Sequence, residues 1–196
     1  PKHFTIEQVK QILIQKSGWV IKQVEHLVQY PPTARSEVHD GDVYPLLDQK
    51  YKLVIKEWQH NKIQITSLDG QILVRCPHLS LEQLQPLLKQ SLTKWYRNAA
   101  THILNEKTLY WQKRINCFAA KITIRDPKTR WGSCSSRGSI NYSWRVIMAP
   151  EYVVDYLVVH ELCHLRMPNH SPEYWSLVAS FIQDYKKPRS WLKVHG

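Results

Sequence analysis

The chain contains no Cys-x-x-Cys pair. Its four cysteines, Cys76, Cys117, Cys134 and Cys163, are scattered, which argues against a zinc ribbon and fits reduced thiols in a cytosol. There is no apolar run long enough to span a bilayer and no secretory signal pattern, so no membrane role and a cytoplasmic location are expected. Internal repeats and low-complexity tracts are missing too. Acidic residues are scarce, with 16 Asp and Glu against 27 Lys and Arg, a net charge of +11. What is present is ample core material: 43% hydrophobic residues and eight tryptophans in 196 residues, enough for one compact domain or two small ones.

The most informative stretch is residues 160–170, His-Glu-Leu-Cys-His-Leu-Arg-Met-Pro-Asn-His. On a helix His160 and His164 lie one turn apart and point the same way, with Glu161 beside them. This is the H-E-x-x-H arrangement of zinc hydrolases, in which two histidines bind the ion and the glutamate is general base rather than ligand. His170 offers a third nitrogen, and Glu173 is its rival, because a glutamate on a following helix can fill that place. Three protein ligands and one open position suit a catalytic Zn2+, whereas four would make it structural. The ion would lower the pKa of water and polarise a scissile carbonyl, and Glu161 would carry the proton.

The surroundings read as helical. Ala149-Pro150-Glu151 marks a start, with Pro150 at the first helical position, and Val153, Val154, Leu157, Val158, Leu162 and Leu165 form a buried stripe. Pro168 ends the helix. Ser171-Pro172-Glu173 reads as a new N-cap, and Tyr174, Trp175, Val178, Phe181 and Ile182 give the second helix an apolar face. His170 thus falls in a tight turn. The spacing from His164 to His170 matches the metzincin pattern, but Met167 stands where metzincins carry glycine and no Met-turn follows.

Three segments carry a family resemblance. Lys128-Thr129-Arg130-Trp131-Gly132-Ser133-Cys134-Ser135-Ser136, with Gly138-Ser139-Ile140 and Trp144, is similar to an R-W-G-S-C-S block. Val158 to Leu165 is similar to a metal helix, and Asn169-His170-Ser171-Pro172-Glu173-Tyr174-Trp175 to an N-H-S-x-x-F-W block, with Tyr174 for phenylalanine. Together they resemble the YgjP-like metallopeptidases, relatives of the SprT-like zincins. The resemblance implies a zinc-dependent hydrolase acting on polypeptide, with zinc on His160, His164 and His170. It implies an α+β, zincin-like fold, a small antiparallel or mixed sheet packed on helices with an H-E-x-x-H active-site helix. The family commonly opens with a β-hairpin ahead of a helix whose tryptophan matches Trp19. The chain starts at Pro1 close to that helix, so it is expected to be a fragment or to lack the hairpin.

Periodicity supplies the organisation: residues 1–40 a helix and linker, 41–80 a small β-hairpin region, 81–196 the zincin-like metallopeptidase domain. Residues 5–28 read as helix, with Ser17-Gly18 a weak point, and Tyr30 to Asp42 as linker. Lys52 to Glu57 alternates like a strand, and Asp69-Gly70 joins a hairpin between Ile63-Gln64-Ile65 and Ile72-Leu73-Val74. A long helix enters near Pro86 and includes Leu104. Lys121–Arg125 and Ser139–Ile147 read as strands joined by the R-W-G-S-C-S loop. The strand from Ile140 to Val146 is expected to be the edge that binds substrate.

Secondary roles follow from position. Tyr174, Arg130 and Arg145 are candidates to stabilise an oxyanion, and Asp155 to orient a ligand histidine. Cys134 or Cys163 could ligate zinc as a redox brake, against the plainer reading of small buried thiols. Trp131 and Trp144 line the cleft or pack the core. Between Lys121 and Arg145 stand six basic residues and one acidic. Such a surface attracts acidic polypeptide or nucleic acid. A nucleic-acid-associated protein with a structural or vestigial metal site is therefore the alternative reading, as is a zinc hydrolase of a non-peptide bond.

Overall fold

The computed structural model describes residues 5–29 and 37–195. Residues 30–36 of the expected linker, and the side chains of residue 13 and residues 19–29, including Trp19, lie outside the described residues. The chain falls into two compact units that divide after Glu37. The first holds α1, Ile6–Gln29. Thr5 and Gln8 form a reciprocal capping box at its start, Thr5 N–H donating to Gln8 Oε1 at 3.0 Å and Gln8 N–H to Thr5 Oγ1 at 3.3 Å. The helix runs unbroken through Ser17-Gly18, contrary to the expected weak point.

The second unit, Val38–Val194, contains two small mixed sheets and four helices. One sheet has the order β1-β2-β4-β3, made of β1 (Val43–Leu46), β2 (Gln49–Glu57), β3 (Gln64–Leu68) and β4 (Gln71–Cys76). Asp69 (φ 49°) and Gly70 (φ 73°) make the tight β3–β4 turn, both in the left-handed conformation a two-residue hairpin demands. β2 pairs parallel to β4 and antiparallel to β1. β1 was not anticipated, because Pro45 breaks the strand signal. An edge strand tolerates it.

α2 (Leu81–Ile115) begins five residues before the expected entry, with Pro86 inside it. Proline there forfeits one hydrogen bond to the carbonyl of Glu82. Two things hold the early turn: Leu88 and Leu92 are buried in the first core, and the Gln85 amide bridges the Val38 backbone N–H (2.7 Å) and carbonyl (2.8 Å). Farther along, Tyr96, Ala100, Leu104 and Ile115 enter a second, larger core. One helix thus serves both cores, and Asn116 (φ 54°) ends it in a left-handed cap.

The second sheet has the order β5-β7-β6, with β5 (Lys121–Arg125), β6 (Gly132–Cys134) and β7 (Ser139–Ser143). This corrects two expectations. β6 lies inside the stretch read as a loop, and β7 is the central strand, paired to β5 on one side and β6 on the other. Residues 140–146 therefore cannot be a free edge. The strand ends at Ser143, and a 3-10 turn, Trp144–Met148, follows.

α3 (Glu151–Cys163) starts one residue later than read, with Pro150 as its N-cap. Val153, Val154, Tyr156, Leu157, Val158, Val159, Leu162 and Cys163 are all buried, so it is enclosed on nearly every side rather than along one stripe. α4 (Pro172–Phe181) is capped by Ser171, whose Oγ accepts the Tyr174 N–H at 3.4 Å. α5 (Lys186–Val194) was not anticipated; its Lys-Lys-Pro-Arg start reads as a tail, yet Pro188 sits in the first turn, where no N–H is needed.

Candidate metal centre

His160 and Glu161 occupy the last turn of α3, and His164 caps it. The chain then turns through residues 165–170 without a positive φ, which is how it manages with Met167 in place of glycine. The turn carries His170 back over the helix end. One nitrogen from each of His160, His164 and His170 lies within 4.8 Å of the others. Nε2 of His160 and Nε2 of His170 are 3.3 Å apart. Two nitrogens each about 2.0–2.1 Å from one tetrahedral zinc stand about 3.3 Å apart, so this pair has the spacing that such an ion needs.

The hydrogen bonds settle which nitrogen is available. His164 Nδ1 lies 3.0 Å from the Met167 carbonyl, which can only accept, so Nδ1 carries the proton and Nε2 the lone pair. The Tyr174 hydroxyl donates to the His160 carbonyl at 2.9 Å and accepts from His160 Nδ1 at 2.8 Å, which fixes the same tautomer. Burial, then the neighbouring His164, His170 and Arg189, pull the His160 imidazole down to about 3, and burial with His164 and Arg189 lowers His170. Neutral imidazoles with converging lone pairs are metal-ligand chemistry.

Glu161 is 4% exposed, and no hydrogen bond reaches its carboxylate among the described residues. Burial pushes it up to about 8, with Arg130 opposing. Gly132 of β6 lies against it so closely that a Cβ there would collide with Oε1 and come within 2.9 Å of Cδ. A cleft of about 450 Å³ opens over this group, walled by Trp131, Tyr156, Leu157, Trp175, Arg189 and Leu192.

Other candidates are placed elsewhere. Glu173 is exposed, bonded to Ser171 and outside the histidine cluster. Asp155 faces α2, accepting from Lys107 Nζ and Trp111 Nε1, each at 2.9 Å, so it does not orient a ligand histidine. Arg145 pairs with Asp126 and covers Trp144, and Trp144 packs on Tyr96 in the core. Tyr174 is committed to His160 and is no oxyanion donor. Neither Cys134 nor Cys163 joins the cluster, and burial pushes the two thiols up to about 11 and about 12, away from thiolate chemistry. Arg189 and Tyr156 were missed. Tyr156 went unread one turn before His160 and Arg189 was read only as part of a basic C-terminal segment, so only the tertiary fold reveals them.

The model of the YgjP-like metallopeptidase domain matches residues 1–195. The chain belongs to the YgjP-like metallopeptidase family. Membership makes it a metallopeptidase, hence a hydrolase of polypeptide that works with a metal ion. Among solved structures, this YgjP-like chain is similar to the metallopeptidase zymogen of Pyrococcus abyssi abylysin. Identity is 22%, over 39% of this chain and 76% of that one, with a TM-score of 0.36. The search of curated proteins found no match. No helix among the described residues is long and apolar enough to cross a membrane.

Proposed function

We propose that this protein is a zinc-dependent peptidase in which His160, His164 and His170 hold the ion and Glu161 is the general base. The observation that carries this reading is the convergence of three imidazoles whose outer nitrogens are occupied at His160 and His164, so that their lone pairs face a common point. When bound, zinc supplies Lewis acidity toward a carbonyl and lowers the pKa of water. Glu161 takes the proton from the attacking water at a carboxylate oxygen and returns it to the leaving amine. Burial raises its proton affinity in the metal-free fold, and a dication bound beside it would favour the ionised form that the task requires. Tyr174 and the Met167 carbonyl hold two of the rings, and Trp131, Leu157 and Leu192 give the cleft apolar walls.

The substrate lies along β6. That strand is paired on one side only, its other side has no strand partner among the described residues, and it passes beside Glu161. An extended peptide adds to such an edge by backbone hydrogen bonds. Tyr156, whose hydroxyl lies 3.4 Å from His160 Nδ1 and is not needed to fix that ring, and Arg189 are donors that line the cleft and could serve a developing oxyanion. The family gives no ground for a nucleic-acid reading.

The test is zinc content by plasma mass spectrometry on untagged protein, with turnover of an unfolded polypeptide. Stoichiometric zinc in the wild type, its loss in His164→Ala, and retained zinc without turnover in Glu161→Gln are expected. A wild type that stays empty after dialysis against zinc sinks the reading.

A further inference from the structure

The cleft above Glu161 is not the end of the groove. Gly132 also lines a second cavity of about 330 Å³, whose walls include Arg125, Arg130, Ser133 and Asn141. The two cavities therefore share Gly132 of β6, and Glu161 lines the first of them. Each contains arginine. On the first side Arg189 lies over the Trp175 ring, its Cζ 4.3 Å from the centroid, and Trp175 in turn stacks on His170 at 5.2 Å. The guanidinium is thus fixed one ring away from the histidine cluster. On the second side stand Arg125 and Arg130, both exposed.

Acidic residues do not neutralise these arginines. Glu161 is the single carboxylate lining either cavity, and it is buried. Asp126, next to Arg125 in sequence, is taken by Arg97 at 3.0 Å and by Arg145. No carboxylate among the described residues pairs with Arg125, Arg130 or Arg189. Arg189 thus stands at the first cavity, and Arg130, just ahead of β6, with Arg125, on β5, at the second, none of them paired with a carboxylate, although Arg130 acts on Glu161 through space. A planar fork of this kind takes carboxylate in bidentate fashion.

We infer that the groove selects peptides with acidic side chains on both sides of the bond to be cut, Arg189 holding one and Arg130 with Arg125 the other. The inference rests on the peptidase reading above. The free edge of β6 favours a peptide over a nucleic acid. It offers backbone hydrogen bonds in an extended register, in which successive side chains point to opposite faces.

The experiment uses zinc-loaded Glu161→Gln full-length protein and fluorescence anisotropy. The probes are a short labelled peptide with glutamates flanking a central apolar pair, its glutamine counterpart, and a labelled oligothymidylate. At about 0.15 M ionic strength the glutamate peptide is expected to bind roughly tenfold more tightly than the glutamine peptide. Arg189→Gln and Arg130→Gln should each narrow that gap to about threefold, Arg189→Lys should keep only part of it because an ammonium supplies the charge without the fork, and added salt should close it. Zinc content is measured on every variant. Should Arg189→Gln lose the metal through its contact with Trp175, Arg130→Gln and Arg125→Gln carry the test.

Equal binding of the two peptides, no binding of either, or a gap that no arginine substitution changes overturns the inference. So does oligothymidylate outcompeting the glutamate peptide at the same arginines. Wild-type turnover separates this from the reading beneath it. Cleavage of both peptides with equal kcat/KM overturns the acidic preference and leaves the peptidase intact. Preferential binding of the glutamate peptide without cleavage of either upholds the acidic groove and removes the peptidase.

Discussion

Tyr174 and His160 are joined twice: the imidazole Nδ1–H donates to the phenol oxygen at 2.8 Å, and the phenol O–H donates to the His160 carbonyl at 2.9 Å. The second bond matters as much as the first. It spends the hydroxyl proton on a group that can only accept, so the oxygen must serve His160 as acceptor. The ring then presents Nε2 to the cluster and cannot flip tautomer without leaving a buried hydroxyl badly placed. The tyrosine takes the place of the phenylalanine common in the resembling motif, and α4 is what delivers it.

Removing that hydroxyl should weaken the metal site without removing it. Tyr174→Phe keeps the ring stacked on His164 at 4.5 Å and leaves the core filled. Zinc affinity should fall about 10- to 100-fold, measured by competition with a chromophoric chelator. Unchanged affinity would mean that packing alone orients His160.

Gly132 tests the approach of β6 to Glu161, the proposed general base. A methyl there collides with the buried Glu161 carboxylate, which would have to turn away from β6 toward the cleft it lines. Gly132→Ala should cost about 1–3 kcal/mol of stability and lower kcat well below one tenth of wild type, while zinc stays bound. Steady-state kinetics beside metal analysis checks this. Normal turnover would show that the strand shifts freely, and that β6 is not a fixed wall for substrate.

Glu161 also makes metal-free stability depend on pH. Its carboxyl has an ordinary value of 4.5 and rises to about 8 in the fold, so the folded state holds the proton more tightly than the unfolded chain. Below pH 4.5 both states are protonated and no penalty exists. From there to about pH 8 the unfolded chain ionises first and stability drains away, by a few kcal/mol in total. Chelator-treated wild type should therefore lose stability relative to Glu161→Gln across that window, in parallel urea titrations. A difference that stays flat with pH would mean that the carboxyl is solvated in the metal-free protein.

How much of this was legible in the sequence follows from the range of each signal. His160, Glu161 and His164 are set by helical spacing, and Ser171-Pro172 and Asp69-Gly70 by local backbone chemistry, so all three could be read. β1 was hidden by Pro45 and α5 by Pro188 among basic residues, where local rules favour a break. The rank of β7 as central strand depends on partners that periodicity cannot name, and so β7 was read as an edge. Arg189 lies 29 residues beyond His160, and only the packing of α5 brings it to the cleft.

Asp155 makes the same point in a form that can be measured. Its place a turn and a half before His160 suggests a partner for the ligands, but its carboxylate accepts from Lys107 and Trp111 on α2 instead. Lys107 is only 15% exposed, and although burial pulls its ammonium down, hydrogen bonds to Glu151 and Asp155 outweigh that and raise it. Asp155→Ala would leave this ammonium with Glu151 alone, at 2.7 Å, and the Trp111 indole N–H without its acceptor. The cost should be about 1–3 kcal/mol in chemical denaturation. Zinc affinity should stay within about twofold, because no bond links Asp155 to the histidines and distant sites act independently. Lys107→Met should recover part of the loss, since it removes the charge that Asp155→Ala strands. A fall in zinc affinity as large as that of Tyr174→Phe would instead make α2 part of the metal site's support.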